Sequence, residues 1–292
     1  MQTIHAPTIL ATGATGTIGS ALIQELAERN VPFRVLVRSS SRAQSLPRLP
    51  RMEVVIGDFD DAESIRRALE GMERAFLVTN STERAETQQR SFVDAAQRAG
   101  VRHIVKLSQW AADPHSPVRF LRYHAAVEQH IRESGIVYTF LRPNLFMQGF
   151  LSFRDTIATQ GRFFAPIGNA RVSAVDIRDI AMVAATALVD NGHQGKIYGL
   201  TGPEALTHQD MADKLADALH RPVEFVDIPP QAMRETLLAI GFPEWQADGV
   251  VEDYAHYGRG EAAGVTTGVY DATGKQPRSF DIFAHDYALA FS

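Results

Sequence analysis

Gly13-Ala14-Thr15-Gly16-Thr17-Ile18-Gly19 directly follows the apolar run Thr8-Ile9-Leu10-Ala11 and precedes a stretch with helical spacing through Leu22, Leu26 and Ala27. Between a strand and a helix, the first glycine of such a turn permits a tight reversal. The second lets backbone approach a pyrophosphate, and the third lets helix and strand pack closely. The helix's first amides then face the anion. Gly13, Thr15, Gly16, Thr17, Ile18 and Gly19 are therefore expected to cradle a dinucleotide, the plain alternative being a glycine turn that binds nothing. About 20 residues further on, where an acid would select NAD, the second strand ends in Arg38, followed by Ser39-Ser40-Ser41-Arg42. Guanidiniums are planar, multi-donor phosphate ligands. Arg38 and Arg42 with three hydroxyls thus favour NADP(H), against the alternative of a solvated basic loop. Gly57-Asp58-Phe59, at the end of the third strand, offers a carboxylate to an adenine amine and an aromatic edge to its ring. Taken alone, Asp58 reads as a helix-capping loop residue.

The elements that must hold these groups follow from the pattern. Phe33–Val37, Val54–Ile56, Ala75–Val78, His103–Leu107 and Val137–Leu141 read as strands, and helical stretches separate them. Strands alternating with helices predict an α/β fold, a doubly wound parallel sheet of Rossmann type covered on both faces. After Pro143 glycines and prolines cluster, and helical segments near 207–220, 230–240 and 244–256 lack strands of similar quality between them. One further sheet strand is predicted at Lys196–Leu200. The division read here is a nucleotide-binding domain over 1–145, completed by about 171–200. A smaller C-terminal substrate lobe takes 146–170 and 201–292.

Composition narrows the function. The 292 residues carry a net charge of −5, so there is no cationic surplus to neutralise phosphates, and nucleic acid is not expected as a partner. There are no cysteines, which removes disulfide scaffolds, thiol catalysis and cysteine-ligated metals. The ten histidines show no paired ligand spacing, and no metal site is expected. There is no G-x-S-x-G elbow. Gly268 to Lys275 mimics a phosphate loop but has one residue too many, with Gln276 where a hydroxyl must reach Mg²⁺. Met1 to Pro7 has no basic residue and no long apolar run, so no secretory signal is read there. The longest apolar run, Ile180 to Val189, is about half the ~20 residues of a membrane span and reads as a core helix. A cytoplasmic protein without a membrane partner is expected, as monomer or homodimer.

These features together resemble the NmrA-like branch of atypical short-chain dehydrogenases, over nearly the whole chain. The resemblance is carried by the G-x-x-G-x-x-G turn, Gly57-Asp58, Ala95-Ala96-Gln97-Arg98-Ala99-Gly100-Val101 and Lys106-Leu107-Ser108. It continues through Ser134–Thr139, Leu141-Arg142-Pro143, Val175–Ala181, Leu200–Glu204 and Thr273–Phe280. By this resemblance Val78, Thr79 and Asn80 line the cofactor and Ser108 sits beside the nicotinamide. Pro143, Asn144, Leu145 and Phe146 flank nicotinamide and substrate. Gly149 stands where members often carry Asn, and Gln109-Trp110 follows Ser108 where many have small residues, implying a pocket of its own shape.

The Tyr-x-x-x-Lys dyad of ordinary short-chain dehydrogenases is absent. The four lysines are Lys106, Lys196, Lys214 and Lys275, and the residue four after Tyr123 is Val127. Lys106 shares a strand face with Ser108 but reads as structural in mid-strand. On the equivalent helix, His124 and Glu128 lie one turn apart, so the carboxylate can orient the imidazole. Relatives place a lysine or histidine about here. His124 is read either as a group that holds the nicotinamide ribose or relays a proton, or as half of a surface ion pair. His130 reads as surface.

Two functions follow. One is an enzyme, with Ser108 and His124 as catalytic candidates. It would transfer hydride from NADPH to a quinone or similar planar conjugated acceptor, with secondary metabolism as one setting. Such acceptors yield delocalised anions, and the missing dyad then costs little. The other is a non-catalytic NADP(H)-binding redox sensor or regulator of the NmrA type. For the enzyme, a flat aromatic substrate is expected against Trp110, Asn144 and Phe146, the alternative being that Trp110 packs inward and meets no ligand.

Overall fold

The described residues form nine strands: β1 (Ile9–Ala11), β2 (Phe33–Val37), β3 (Met52–Ile56), β4 (Arg74–Leu77), β5 (His103–Leu107), β6 (Val137–Pro143), β7 (Arg162–Ala165), β8 (Lys196–Leu200) and β9 (Glu224–Asp227). They come from a computed structural model that describes residues 6–292. The positions Met1 to His5, read above for targeting, lie outside the described residues. Seven strands form one sheet in the order β3-β2-β1-β4-β5-β6-β8. Neighbours from β3 to β6 run parallel, with Ala11 opposite Val35 on one side and Phe76 on the other. The expected Rossmann-type sheet is thus present. The strand order reverses at β1, which makes the crevice between β1 and β4 the switch point where such sheets take ligands at their carboxyl ends.

The chain packs as two units. The first takes the chain through Ser108, then Tyr123–Leu141 and Ile180–Tyr198. Its core joins Leu10, Leu77, Ile104 and Phe140 from the sheet to Ile65, Leu69, Phe92, Val93, Val127 and Ile131 from helices. Phe76 and Phe140 are fully buried, each contributing about 1.5–3 kcal/mol. Asp61 caps the helix Ala62–Leu69 through the amides of Glu63 and Ser64. The run Ile180 to Val189 lies in the helix Ile177–Val189, with Ile180 through Leu188 buried. Among the described residues no helix is long and apolar enough to cross a membrane.

The second unit takes Gln109–Arg122, Arg142–Asp179 and Gly199–Ser292. This differs from the expected boundaries, because the segment after Ser108 is anchored by residues far along the chain. Gln109 donates to Asp253, Trp110 to the carbonyl of Glu261, and Arg119 to Glu252. The helices expected near 207–220, 230–240 and 244–256 are present as His208–Leu219, Pro230–Ala239 and Glu244–Gly258. An unexpected two-stranded parallel sheet, β7 with β9, lies among them, pairing Phe163 with Phe225. Phe150, Phe163, Leu215, Phe280 and Phe283 form one core of this unit.

Candidate functional site

In the first unit, Gly13, Arg38, Gly57, Val78 and Ser108 each stand within two residues after the end of a parallel strand, on the carboxyl edge of the sheet. Thr12 ties the two strands of the switch point together, donating to the carbonyl of Phe76 at 2.9 Å and accepting from the Val78 amide at 2.9 Å. Gly13 has φ +67, and a Cβ there would lie 2.5 Å from Val78 Cγ1. A Cβ at Gly19 would lie 2.0 Å from the Gly13 carbonyl oxygen. The chain's own packing therefore demands both glycines.

Gly16 is different. It is extended at φ −90, ψ 172, and a Cβ there would meet only the Gly13 carbonyl oxygen, at 3.3 Å. The protein's own backbone would nearly accept a side chain at this position. Gly16 also caps the helix Thr17–Glu28, with no side-chain hydrogen bond and no acid in the first turn. The first helical amides and the positive end of the helix are left for an anion. Turn and helix together fit a dinucleotide pyrophosphate.

Arg38 and Arg42 are both exposed, and neither guanidinium has an ion-pair partner among the described residues. The serines between them are partly committed. Ser39 caps the short helix Ser40–Gln44 by accepting from the Arg42 amide, and its hydroxyl lies 2.9 Å from that of Ser41. Asp58 caps no helix, since Asp61 does. One Asp58 oxygen accepts from the Asp60 amide at 3.0 Å. Phe59 packs on Phe92 with ring centroids 5.5 Å apart. Thr79 accepts from Gln89 at 2.8 Å, and Asn80 is exposed.

Past β5 the pairing differs from the expected His124–Glu128 couple. Ser108 donates its hydroxyl hydrogen to Glu128 Oε1 at 2.6 Å, and Arg132 donates to the other oxygen at 3.2 Å. Glu128 is fully buried. Arg132 lies 4.8 Å from the Phe140 ring centre, which holds its planar head in place. His124 instead bonds to Lys106, Nδ1 to Nζ, at 2.8 Å. Lys106 is also fully buried and donates a second hydrogen to the Leu107 carbonyl at 3.0 Å. Tyr123, adjacent to His124 with rings 4.1 Å apart, lies 2.9 Å from Ser81 through its hydroxyl. The strand face carrying Lys106 and Ser108 thus supplies the partners that the helix residues were expected to find in each other. Lys106 itself was missed as a site residue. Its signals were a lysine inside the otherwise apolar run Ile104-Val105-Lys106-Leu107 and the strand face it shares with Ser108.

In the second unit, Pro143 ends β6 and its carbonyl accepts from the Trp110 amide at 2.8 Å. Asn144 is buried and fully engaged. Its amide donates to Ser173 Oγ at 2.9 Å and to the Ala262 carbonyl at 2.8 Å, while its oxygen accepts from Leu145. Both amide hydrogens are thus spent on the fold, which leaves none for a substrate carbonyl. Trp110 is half-buried. Its indole lies against Gly199 and Gly264, 3.1 Å from where a Cβ would stand on each, and donates to Glu261. Phe146 is half-buried and bridges to Val175. A further group was not foreseen. Asp253 keeps some contact with solvent, and both its oxygens accept from Gln109 Nε2 at 3.0 Å. No cation pairs with it among the described residues, and burial pushes its carboxyl up to about 7.

Known proteins are similar to this chain over nearly its whole length. The chain is 36% identical over 283 residues to the NAD(P)H azoreductase of Xenophilus azovorans, covering 97% of this chain and 99% of that protein. The crystal structure of the NADPH-dependent quinone oxidoreductase of Escherichia coli, complexed with NADPH, superimposes with TM-score 0.85. Its identity is 26%, over 95% of this chain and 99% of that one. The Citrobacter sp. triphenylmethane reductase complexed with NADP(H) gives TM-score 0.84 and 27% identity, over 96% and 99%. The family profile described as NmrA-like matches residues 5–275. On that match and these likenesses, the chain belongs to the NmrA-like family.

Proposed function

We propose that this chain is an NAD(P)H-dependent oxidoreductase that transfers hydride from NADPH to a quinone or similar planar conjugated acceptor. The observation that carries the reading is Gly16, a glycine the backbone hardly requires, set at an uncapped helix end on the switch-point edge of the sheet. The glycine turn and the first amides of the helix Thr17–Glu28 would hold the pyrophosphate. Arg38 and Arg42, exposed and without ion pairs among the described residues, would take a 2′-phosphate, as NADPH requires and NADH does not. Asp58, Phe59, Val78, Thr79 and Asn80 complete this edge. The cofactor supplies the hydride, and the protein supplies orientation and proton management.

Ser108 has one hydroxyl hydrogen and gives it to Glu128, so toward any ligand it acts as an acceptor. It therefore orients an N–H donor rather than protonating anything. His124 is the candidate donor. With no tyrosine–lysine dyad, the chemistry suits acceptors whose reduction leaves a delocalised anion. Azo compounds and quinones, which two of the similar proteins are named for, share that property. Trp110 and Phe146 would give such a ring apolar faces, with Asn144 bracing the segment rather than touching the substrate through its amide.

The test is NADPH oxidation by the purified protein against a quinone, an azo dye and a saturated ketone, each with a no-protein control. Quinone and azo dye should accelerate oxidation and the ketone should not. Tight NADPH binding with no acceptor-dependent oxidation would replace the enzyme with the redox-sensor reading.

A further inference from the structure

Lys106 and Ser108 stand two residues apart on one face of β5. His124 and Glu128 stand four apart on one face of the helix Arg119–Ser134. The two hydrogen bonds between them, Lys106 to His124 at 2.8 Å and Ser108 to Glu128 at 2.6 Å, are successive rungs of one ladder. All four side chains are buried, Lys106 and Glu128 completely. A buried ammonium needs a nearby anion, and the neighbouring rung carries one in Glu128. An ammonium has only hydrogens to offer, so His124 Nδ1 accepts and the neutral ring carries its hydrogen on Nε2. We propose that Lys106 is the residue that sets this tautomer and refills the ring, so that Lys106 and His124 form a two-residue proton relay in place of the missing dyad.

The relay rests on the proposed hydride transfer. Hydride addition leaves an anion on the acceptor. The His124 Nε2–H bond breaks and its proton goes to the acceptor oxygen or nitrogen. In the same step Nδ1 takes a proton from Lys106 Nζ, leaving the ring neutral and Lys106 an amine; water then protonates Nε2 through the ring's small opening and Nδ1 returns its proton to Lys106, restoring both groups. The net donor is an ammonium and the net acceptor, for a quinone, a phenolate. His124 is 8% exposed, a small opening that suits a donor serving one partner. The first rung fixes the imidazole, and the second keeps Ser108 from competing as a proton source.

The first test needs no cofactor. Protein labelled with ¹⁵N-histidine is studied by long-range ¹H–¹⁵N correlation, with His124→Gln assigning the His124 signals by their loss. The proposal expects an Nε2–H ring in the wild type. An Nδ1–H ring would overturn it, whatever the enzyme does. The second test is turnover with a quinone for Lys106→Met, His124→Gln and the double variant, with NADPH affinity measured separately. Each single change should lower kcat by about 10²-fold, the lower end for general acid catalysis. The double variant should be no more than about twofold worse than the slower single one, since both act as one unit. Multiplying losses would refute the relay. Should Lys106→Met not fold, the wild-type tautomer still decides. Should the wild type bind NADPH yet turn over no acceptor, the functional reading falls while the tautomer result stands by itself.

Discussion

Replacing Gly16 by alanine separates what the fold needs from what a ligand needs. The residue already has a φ that alanine adopts without strain, and the new methyl meets one atom, the Gly13 carbonyl oxygen at 3.3 Å. A shift of a few tenths of an ångström relieves that contact. The helix exchanges a glycine N-cap for an alanine one, at a cost of about 0.5–1 kcal/mol. In a chain of this size that lowers Tm by only about 1–3 °C. Cofactor binding should suffer far more, because the methyl occupies the approach that lets a phosphate reach the amides of the helix Thr17–Glu28. Hydrogen bonds to a charged group contribute about 1.5–3 kcal/mol each, so losing one lowers NADPH affinity by about 10- to 100-fold. Gly19→Ala is the contrast. Its methyl would lie 2.0 Å from the Gly13 carbonyl oxygen and 2.9 Å from the Ala14 amide nitrogen, so backbone must move and stability itself should fall by about 1–3 kcal/mol. The assays are thermal unfolding without cofactor and NADPH titration by calorimetry. Unchanged NADPH affinity in a folded Gly16→Ala protein would refute the assignment of the turn to the pyrophosphate.

Three further changes probe other parts of the account. Arg38→Asp should lower NADPH affinity by about 10- to 100-fold and leave NADH affinity nearly unchanged, measured by titration of both; equal effects on both would remove Arg38 from the 2′-phosphate site. An aspartate titrates near 3.8 when unperturbed and Asp253 at about 7 in the fold, so its burial favours the protonated form. Stability is therefore fully present below about pH 4, declines as pH rises toward 7 and stays low above it, by no more than about 4 kcal/mol. Asp253→Asn should raise Tm relative to wild type at pH 8 and match it near pH 4, and a variant less stable at pH 8 would refute this. Trp110→Ala should raise acceptor KM by about 2- to 10-fold, the equivalent of one lost stacking contact, with NADPH affinity intact. Wild-type KM and kcat would make Trp110 purely a packing residue, held by Gly199, Gly264 and Glu261.

The sheet was legible because each of its strands is an apolar run that the next turn punctuates: Ala11 before the glycine turn, Val37 before Arg38, Ile56 before Gly57. The β7–β9 sheet was not, because Arg162–Ala165 and Glu224–Asp227 are four residues each, too short to show a period, and pair across a long stretch of helix. In the site, the spacing of His124 and Glu128 correctly placed both on one helical face. It could not reveal that the facing strand offers better partners, since Lys106 and Ser108 meet them only once β5 and the helix pack. Asn144 illustrates the same limit. Beside a proline at a strand end it read as a ligand contact, but its partners Ser173 and Ala262 lie far along the chain. Lys106 is the sharpest case, a charge in mid-strand whose meaning lies entirely in a tertiary neighbour.

The central claim is direct hydride transfer to a conjugated acceptor. It is tested by mixing NADPH-loaded protein with a quinone under single-turnover conditions, using NADPH deuterated at the transferred position of C4 alongside the unlabelled form. The account predicts oxidation of bound NADPH faster than in the protein-free control, slowed by deuterium, with the label lost from the cofactor. Oxidation no faster than the control, or equal rates for both isotopes together with label retained on the cofactor, would contradict it.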